Sequence, residues 1–246
     1  MNLRLALASA ALAWAHPGWA QPVTGPYVSL AAGANVPYAV NYNYAAVQDF
    51  GDAPYAGPAG RFVFRPSYAG LAAIGYGFGD GVRIELGGDF LRATAHKDDK
   101  ASFGDYGGLY PWQTRTIGGA NTYGPMVNLL YDFPARLPLY PYLGAGAGYQ
   151  WMKLSRRIND NAGFYDTIEG TRGSFAYDIV AGLAYPLPGE RGVSLTAQYS
   201  FMQLVERRNY ATSFPAVGGP YDGPNRFGQD AAHIFVFGVR YQLSGL

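Results

Sequence analysis

Apolar and polar residues alternate with a period of two along much of this 246-residue chain, which restricts it to strands more firmly than any single motif does. Successive side chains of a strand point to opposite faces, so this period sorts them into one apolar and one polar side. From Val82 to Phe90, the residues Val82, Ile84, Leu86 and Phe90 share one face, and Arg83, Glu85 and Asp89 share the other. Leu195, Ala197, Tyr199 and Phe201 oppose Ser194, Thr196, Gln198 and Ser200 in the same way, and Phe235, Phe237, Val239, Tyr241 and Leu243 oppose Gly238, Arg240 and Gln242. Two further segments alternate large with small: Leu143, Ala145, Ala147, Tyr149 and Trp151 against Gly144, Gly146, Gly148 and Gln150, and Phe175, Tyr177, Ile179 and Leu183 against Ser174, Ala176, Asp178 and Gly182.

The pattern predicts eight strands, near Tyr27 to Ala34, Ser67 to Phe78, Val82 to Ala93, Thr116 to Tyr131, Tyr140 to Leu154, Gly173 to Tyr185, Val193 to Val205 and Ala232 to Leu243. Most exceed the roughly 9 to 11 residues that a tilted strand needs to cross a bilayer. The segments Phe78 to Gly81, Asp132 to Pro138 and Pro186 to Gly192 are short and rich in Gly, Pro and Asp, the chemistry of tight turns. They alternate with four long connections, Asn35 to Pro66, Thr94 to Arg115, Ser155 to Arg172 and Glu206 to Ala231. Short turns at one end and long loops at the other are the layout of an antiparallel up-and-down transmembrane β-barrel. Aromatic residues fit two girdles, with Tyr76, Phe78, Tyr131, Phe133, Tyr140, Tyr185 and Tyr241 near the short turns and Tyr123, Trp151, Phe175 and Phe201 near the long loops.

The N-terminus reads as an export signal over residues 1–20, leaving 21–246 as the barrel. Arg4 supplies the positive end, Leu5 to Trp14 the apolar stretch, and Gly18-Trp19-Ala20 small residues at the two positions that a signal peptidase reads. Without Arg4 the chain carries 17 basic and 17 acidic residues, a balance that argues against binding a polyanionic nucleic acid. With no cysteine, an exported chain of this length must rely on hydrogen bonds and packing in place of disulfides.

The chain resembles the OmpA-like eight-stranded outer-membrane barrel, in particular the short porin-like or opacity type of surface protein. Pro26-Tyr27-Val28-Ser29-Leu30-Ala31-Ala32-Gly33 is similar to the family's first strand, and Arg83-Ile84-Glu85-Leu86-Gly87-Gly88-Asp89-Phe90 to its third. Tyr140-Pro141-Tyr142-Leu143-Gly144-Ala145-Gly146-Ala147-Gly148-Tyr149 resembles the segment that follows the second short turn. The resemblance covers 21–246. It implies an outer-membrane location in contact with lipid and lipopolysaccharide, and a salt-bridged lumen with Glu85 at the family's glutamate position. Asn128 and Gln198 stand where basic residues would be expected in that plug. It also implies a C-terminal assembly signal, Phe237, Val239, Tyr241 and Leu243, read by the barrel-assembly machinery. Leu243 replaces the usual terminal aromatic, and Ser244-Gly245-Leu246 follow it.

No catalytic, cofactor or metal site emerges from these residues. His96, with Asp98, Asp99 and Ser102 in a charged loop, invites comparison with a Ser-His-acid hydrolase such as a lipid A-modifying barrel, but triads are defined by geometry and not by closeness in sequence. His233 falls at the start of the last strand, at headgroup level. Two histidines beyond the export signal and no cysteine make a poor set for structural zinc. Glu85 and Asp89 stand four residues apart on one strand, roughly 13 Å, too far for a glycosidase pair. The expected polar network of the lumen is Arg83, Glu85, Asp89, Asn128, Asp178, Gln198 and Arg240, with Glu85 paired to an arginine and Arg240 the leading partner. The glycines Gly144, Gly146 and Gly148 relieve crowding in a narrow barrel. Tyr42, Tyr44, Tyr55, Phe103, Tyr106, Trp112, Phe164, Tyr165, Tyr210 and Tyr221 stud the long loops amid Gly, Asn and Asp, a composition that suits either a recognition surface or packing of the loops on one another. Three functions stay open at this point: a structural barrel presenting four loops for adhesion and envelope integrity, a small diffusion pore, and a lipid A-modifying enzyme.

Overall fold

The computed structural model describes residues 23–44, 59–102, 115–135, 138–159, 165–216 and 219–243. The expected export signal and the C-terminal residues 244–246 lie outside the described residues, as do Tyr55, Phe103, Tyr106, Trp112 and Phe164. Among the described residues there are twelve strands: β1 (Thr24–Pro37), β2 (Val40–Tyr44), β3 (Ala59–Arg65), β4 (Ser67–Phe78), β5 (Val82–Ser102), β6 (Arg115–Asp132), β7 (Tyr140–Asn159), β8 (Tyr165–Pro186), β9 (Val193–Leu204), β10 (Arg208–Ala216), β11 (Gly219–Phe227) and β12 (Asp230–Gln242). The eight expected strands are β1, β4 to β9 and β12. Every pairing is antiparallel, and β5–β6 closes the ring β5-β4-β1-β12-β9-β8-β7-β6.

The long connections depart from expectation. The described parts of the second and third are strand, because β5, β7 and β8 run on well past the expected ends, to Ser102, to Asn159 and back to Tyr165. The first and fourth hold β2, β3, β10 and β11, which close a second ring, β5-β3-β2-β11-β10-β8-β7-β6, on top of the first. One half of the wall is therefore continuous through both tiers, and the other half is four neighbouring staves that break between them. The breaks fall at Tyr38-Ala39, Pro66, Val205 to Arg207 and Gly228-Gln229. Pro37 and Pro66 have no amide hydrogen to continue a ladder, and single bonds bridge the gap, Tyr38 N–H to Ala231 O at 2.8 Å and Gly228 N–H to Asn41 O at 2.9 Å.

In the lower tier the apolar residues face out. Leu30, Ile74, Leu129, Leu143, Ile179 and Phe237 are among the exposed side chains. Tyr131 and Tyr123 mark the two ends of this band on β6. Eight residues separate them, about 26 Å along the strand and about 20 Å at a usual tilt, close to the roughly 25 Å apolar band of such barrels. Tyr76, Phe78, Tyr131 and Phe133 form the short-turn girdle and Tyr123, Trp151 and Phe175 the other, joined by Tyr68 and Phe90, which stack at 6.1 Å. Tyr140 is a correction to the expected girdle. It shares the inward parity of Tyr142 and is buried in the lumen.

Above the outer girdle the sense of the alternation inverts. On β7 the outward positions become Lys153, Ser155 and Arg157, and the inward ones Met152 and Leu154; on β5, Arg92, Thr94 and His96 face out while Leu91 and Ala93 face in. The upper tier has the pattern of a water-soluble barrel: polar outside, apolar within. At the opposite end, Gly79 and Gly81 take left-handed backbone angles in the tight turn between β4 and β5, as the Gly-Asp-Gly sequence predicts.

Candidate functional site

Among the described residues the lumen is filled by a polar cluster near the short turns, an apolar cluster that includes Met126, Met202, Ile234 and Val236, and an aromatic core in the upper tier. Near the short turns, Arg83 is buried and engages three partners. Its Nε donates to Asp132 at 3.0 Å, and its Nη1 donates to Glu85 Oε1 and to the Tyr27 hydroxyl, both at 2.8 Å. Tyr27 in turn donates to Glu85 at 2.7 Å. The Tyr142 ring lies 5.0 Å from the guanidinium, and its hydroxyl donates to Gln198 at 3.1 Å; Gln198 donates to Ser200. Two glycines make room for this cluster. A β-carbon on Gly75 would overlap the Tyr27 ring, and one on Gly182 the Tyr142 ring. Buried charges are tolerated when paired and hydrogen-bonded, and this network meets that condition.

Glu85 is paired to an arginine as expected, but the partner is Arg83 and not Arg240. Residues i and i+2 of a strand share a face, and Tyr27 and Asp132 complete the geometry around Arg83. Arg240 is buried beside the same cluster, 5.8 Å from the Tyr27 ring. Gln198 joins the cluster through the Tyr142 hydroxyl. Asp89, Asn128 and Asp178 face the lumen higher up and make no ion pair with Arg83 among the described residues. Sequence reasoning missed Asp132, Tyr27 and Tyr142. Inward parity on β6 and β7 was the available signal for Asp132 and Tyr142, since Asp132 follows Asn128 and Leu130 at alternate positions and Tyr142 precedes Gly144 and Gly146. The glycines Gly144, Gly146 and Gly148 face inward, and Leu130, Asn128 and Met126 fill the space they leave.

In the upper tier the inward residues form an apolar core of Val40, Tyr42, Phe62, Phe64, Met152, Leu154, Ile168, Tyr210 and Phe227 with small neighbours. Tyr42 stacks on Phe62 at 4.1 Å, Phe62 on Phe227 at 5.1 Å, and Tyr210 meets Phe227 edge-on. Arg156 lies over Phe62 at 3.4 Å. Arg208 pairs with Asp230 at the base of this tier. Burial holds the Arg208 guanidinium below its ordinary value and pushes the Tyr210 phenol above its own. Of the loop aromatics singled out in the sequence, Tyr42 and Tyr210 are thus core residues and take the packing alternative. The pattern Asn41-Tyr42-Asn43-Tyr44 and Arg61-Phe62-Val63-Phe64-Arg65 carried the signal, a period of two inside a loop.

His96 accepts a hydrogen bond from Arg65 Nε at 3.0 Å on the outside of the upper tier. His233 faces out at the girdle, its two ring nitrogens within 2.7 Å of the Tyr38 hydroxyl and 2.8 Å of the Tyr199 hydroxyl. Among the described residues no three His, Asp or Glu side chains gather as a metal-binding group. Phe237, Val239 and Leu243 of the expected assembly signal are exposed on the outward face, with Tyr241 half-buried on the same side.

A closed antiparallel ring, apolar outside between two aromatic girdles, matches the family described as outer membrane protein beta-barrel domain over residues 3–242. The chain belongs to this family. A protein called outer membrane protein in Gluconacetobacter diazotrophicus is 32% identical over 258 residues, covering 99% of this chain and 65% of that protein, so the chain spans about two thirds of that relative's length. Outer membrane protein PagN of Salmonella typhimurium is 26% identical over 185 residues, covering 71% of this chain and 72% of PagN. Among solved structures, OprG from Pseudomonas aeruginosa superposes with a TM-score of 0.55 at 14% identity, covering 89% of this chain and 96% of that one. This outer-membrane barrel therefore sits in the outer membrane, its lower tier in lipid.

Proposed function

We propose that this outer-membrane barrel is an anchor without catalytic role, and that its upper tier is the working surface, contacting lipopolysaccharide and presented outward for surface interaction and envelope integrity. The inversion of the alternation above the outer girdle carries this reading. Strands that only had to hold a pore in lipid would end near the girdle. Here they continue for another eight residues or more beyond Trp151 on β7 and Phe175 on β8, and they build a tier with its own core. The exposed face of that tier is basic among the described side chains, with Arg61, Arg65, Lys153, Arg157, Arg172 and Arg226 against Glu169 and Glu206. Such a face suits phosphate-bearing or sulfate-bearing glycans, and its attraction weakens as salt rises.

The test is a pair of variants that leave the lower tier untouched. One replaces Arg61, Arg65 and Arg226 by serine; the other removes the tip between β10 and β11. Both should insert normally, as judged by heat-modifiable migration, and cells carrying them should lose adhesion or resistance to envelope stress. Inserted variants that behave like the parent in both assays overturn the surface role. A lipid A mass change that depends on the intact chain and disappears in His96→Ala would establish the enzymatic reading instead.

A further inference from the structure

Immediately above the outer girdle, on the half of the wall where β5 to β8 run unbroken through both tiers, the outward side chains form a row of hydrogen-bond donors. Strand register sets Arg92 beside Asn121, Asn121 beside Lys153 and Lys153 beside Thr171. Arg92 Nη1 donates to Asn121 Oδ1 at 2.8 Å. That bond uses the amide oxygen and leaves the Asn121 NH2 and the other guanidinium N–H groups to donate elsewhere. Among the described residues neither Arg92 nor Lys153 forms an ion pair, and Lys153 and Thr171 are exposed. Glu169 stands one row further out, beside Ser155, and accepts a bond from it at 3.4 Å. The row thus offers two cationic donors with backbones about 10 Å apart across three strands, an amide between them, a hydroxyl at the end, and no carboxylate.

The height of the row decides what it meets. The row just below is Phe90, Tyr123, Trp151 and Gly173, three of them exposed girdle aromatics. One residue pair along tilted strands lifts Arg92 and Lys153 about 5 Å above those rings, within a headgroup layer about 5–8 Å deep. Arg61, by contrast, pairs with Asp99, seven residues further along β5, and stands well beyond that layer. On the opposite wall the outward pair above the girdle is Gln203 and Ala231, without charge. The geometry points to a lipid-phosphate site, in which Arg92, Asn121 and Lys153 hold a phosphate group of an outer-leaflet glycolipid whose acyl chains lie along Phe90, Tyr123 and Trp151. A guanidinium fork and an ammonium with free N–H groups match phosphate oxygens in charge and in donor geometry. This site rests on the proposed contact of the upper tier with lipopolysaccharide, and it assigns that contact to one row on one half of the wall.

The experiment refolds the full chain in neutral detergent, immobilises it, and incubates it with bisphosphorylated lipid A or with the same lipid stripped of its phosphates. A chelator in the buffer prevents bridging by divalent cations, and retained lipid is measured by mass spectrometry. The parent should retain the phosphorylated form at least about tenfold better. Arg92→Gln with Lys153→Gln should lower that retention by about tenfold or more, the scale of losing two charge-assisted bonds. Arg61→Ser with Arg226→Ser should leave it unchanged, and heat-modifiable migration confirms the folding of each variant. Should the first double variant misfold, Lys153→Gln alone, at an exposed position, should still lower retention several-fold. Retention that survives loss of Arg92 and Lys153 but falls in the Arg61 and Arg226 variant would overturn this site and leave the contact with lipopolysaccharide standing, whereas a parent that retains neither lipid would overturn both. Equal retention of the two lipids would show acyl contact without phosphate recognition. Displacement of bound lipid by equimolar inorganic phosphate or sulfated oligosaccharide would show a site for soluble anions, and either result overturns the proposal.

Discussion

The two tiers of this barrel are inside-out relative to each other. Below the outer girdle, β7 sends Leu143, Ala145, Ala147 and Trp151 to lipid and keeps glycine and Gln150 within; above it, the same strand sends Lys153 and Arg157 out and buries Met152 and Leu154. Parity does not change along β7, whose pairing to β6 and β8 keeps one register throughout. What changes is the solvent on the outside, from hydrocarbon to water, and the chemistry of each face follows. The membrane boundary is thus written in the sequence as a change of phase, between Phe90 and Leu91 on β5 and between Trp151 and Met152 on β7. The interior differs accordingly. The lower lumen combines the charges and hydrogen bonds around Arg83 with an apolar cluster that includes Met126, Met202 and Val236, and the upper one is held by stacked rings around Phe62.

The largest way to break this contrast is to remove the cation at the centre of the lower plug. Arg83→Met leaves Glu85 and Asp132 buried without their partner and should cost about 3–5 kcal/mol, measured by urea unfolding of the refolded chain. Protease resistance of the upper tier should be unchanged under native conditions. Phe62→Ala does the converse. It removes the ring at the middle of the Tyr42, Phe227 and Arg156 stack and should cost about 3 kcal/mol or more, but the loss should be local. Hydrogen exchange should speed up in β2, β3 and β11 while the lower part of β5 to β9 stays protected.

A smaller effect locates the boundary itself. Ile179→Arg puts a charge on the lipid face between the girdles and should destabilise by about 2–4 kcal/mol. Ser155→Arg, outward on the neighbouring strand but above the girdle, should change stability by no more than about 0.5 kcal/mol. Equal costs at the two sites would erase the distinction between the tiers. The smallest expected effect separates the two candidate partners of Glu85. A double-mutant cycle of Arg83→Gln with Glu85→Gln should give a coupling of about 1–3 kcal/mol, whereas Arg240→Gln with Glu85→Gln should be additive within about 0.5 kcal/mol.

How much of this was legible in the sequence divides along the same boundary. The eight membrane strands and their outward faces follow from alternation, because lipid imposes one sign on one face over the whole span. β2, β3, β10 and β11 did not emerge, because they are short or broken by Pro and Gly and their apolar face is the opposite one. Phe62 and Phe64 between Arg61 and Arg65 alternate as clearly as Ile84 and Leu86 do. Inward membership of Arg83, Glu85, Asp89, Asn128, Asp178, Gln198 and Arg240 was readable from parity, but who pairs with whom was not. Parity gives a face and leaves the height and reach of each side chain to the stagger of the strands, which is why Arg83 reaches Asp132 and Tyr27 while Arg240, on an equally inward position, lies beside the Tyr27 ring.

On the proposed reading the Arg83 plug and the Phe62 core each seal the lumen, and the barrel serves as an anchor and not a channel. Planar-bilayer recording of the refolded full chain tests this most directly. Insertion confirmed by heat-modifiable migration should come with no steady conductance in the parent, and Arg83→Met and Phe62→Ala alone should stay closed because the other seal remains. Reproducible ohmic steps from the parent chain, unchanged by either substitution, would contradict it.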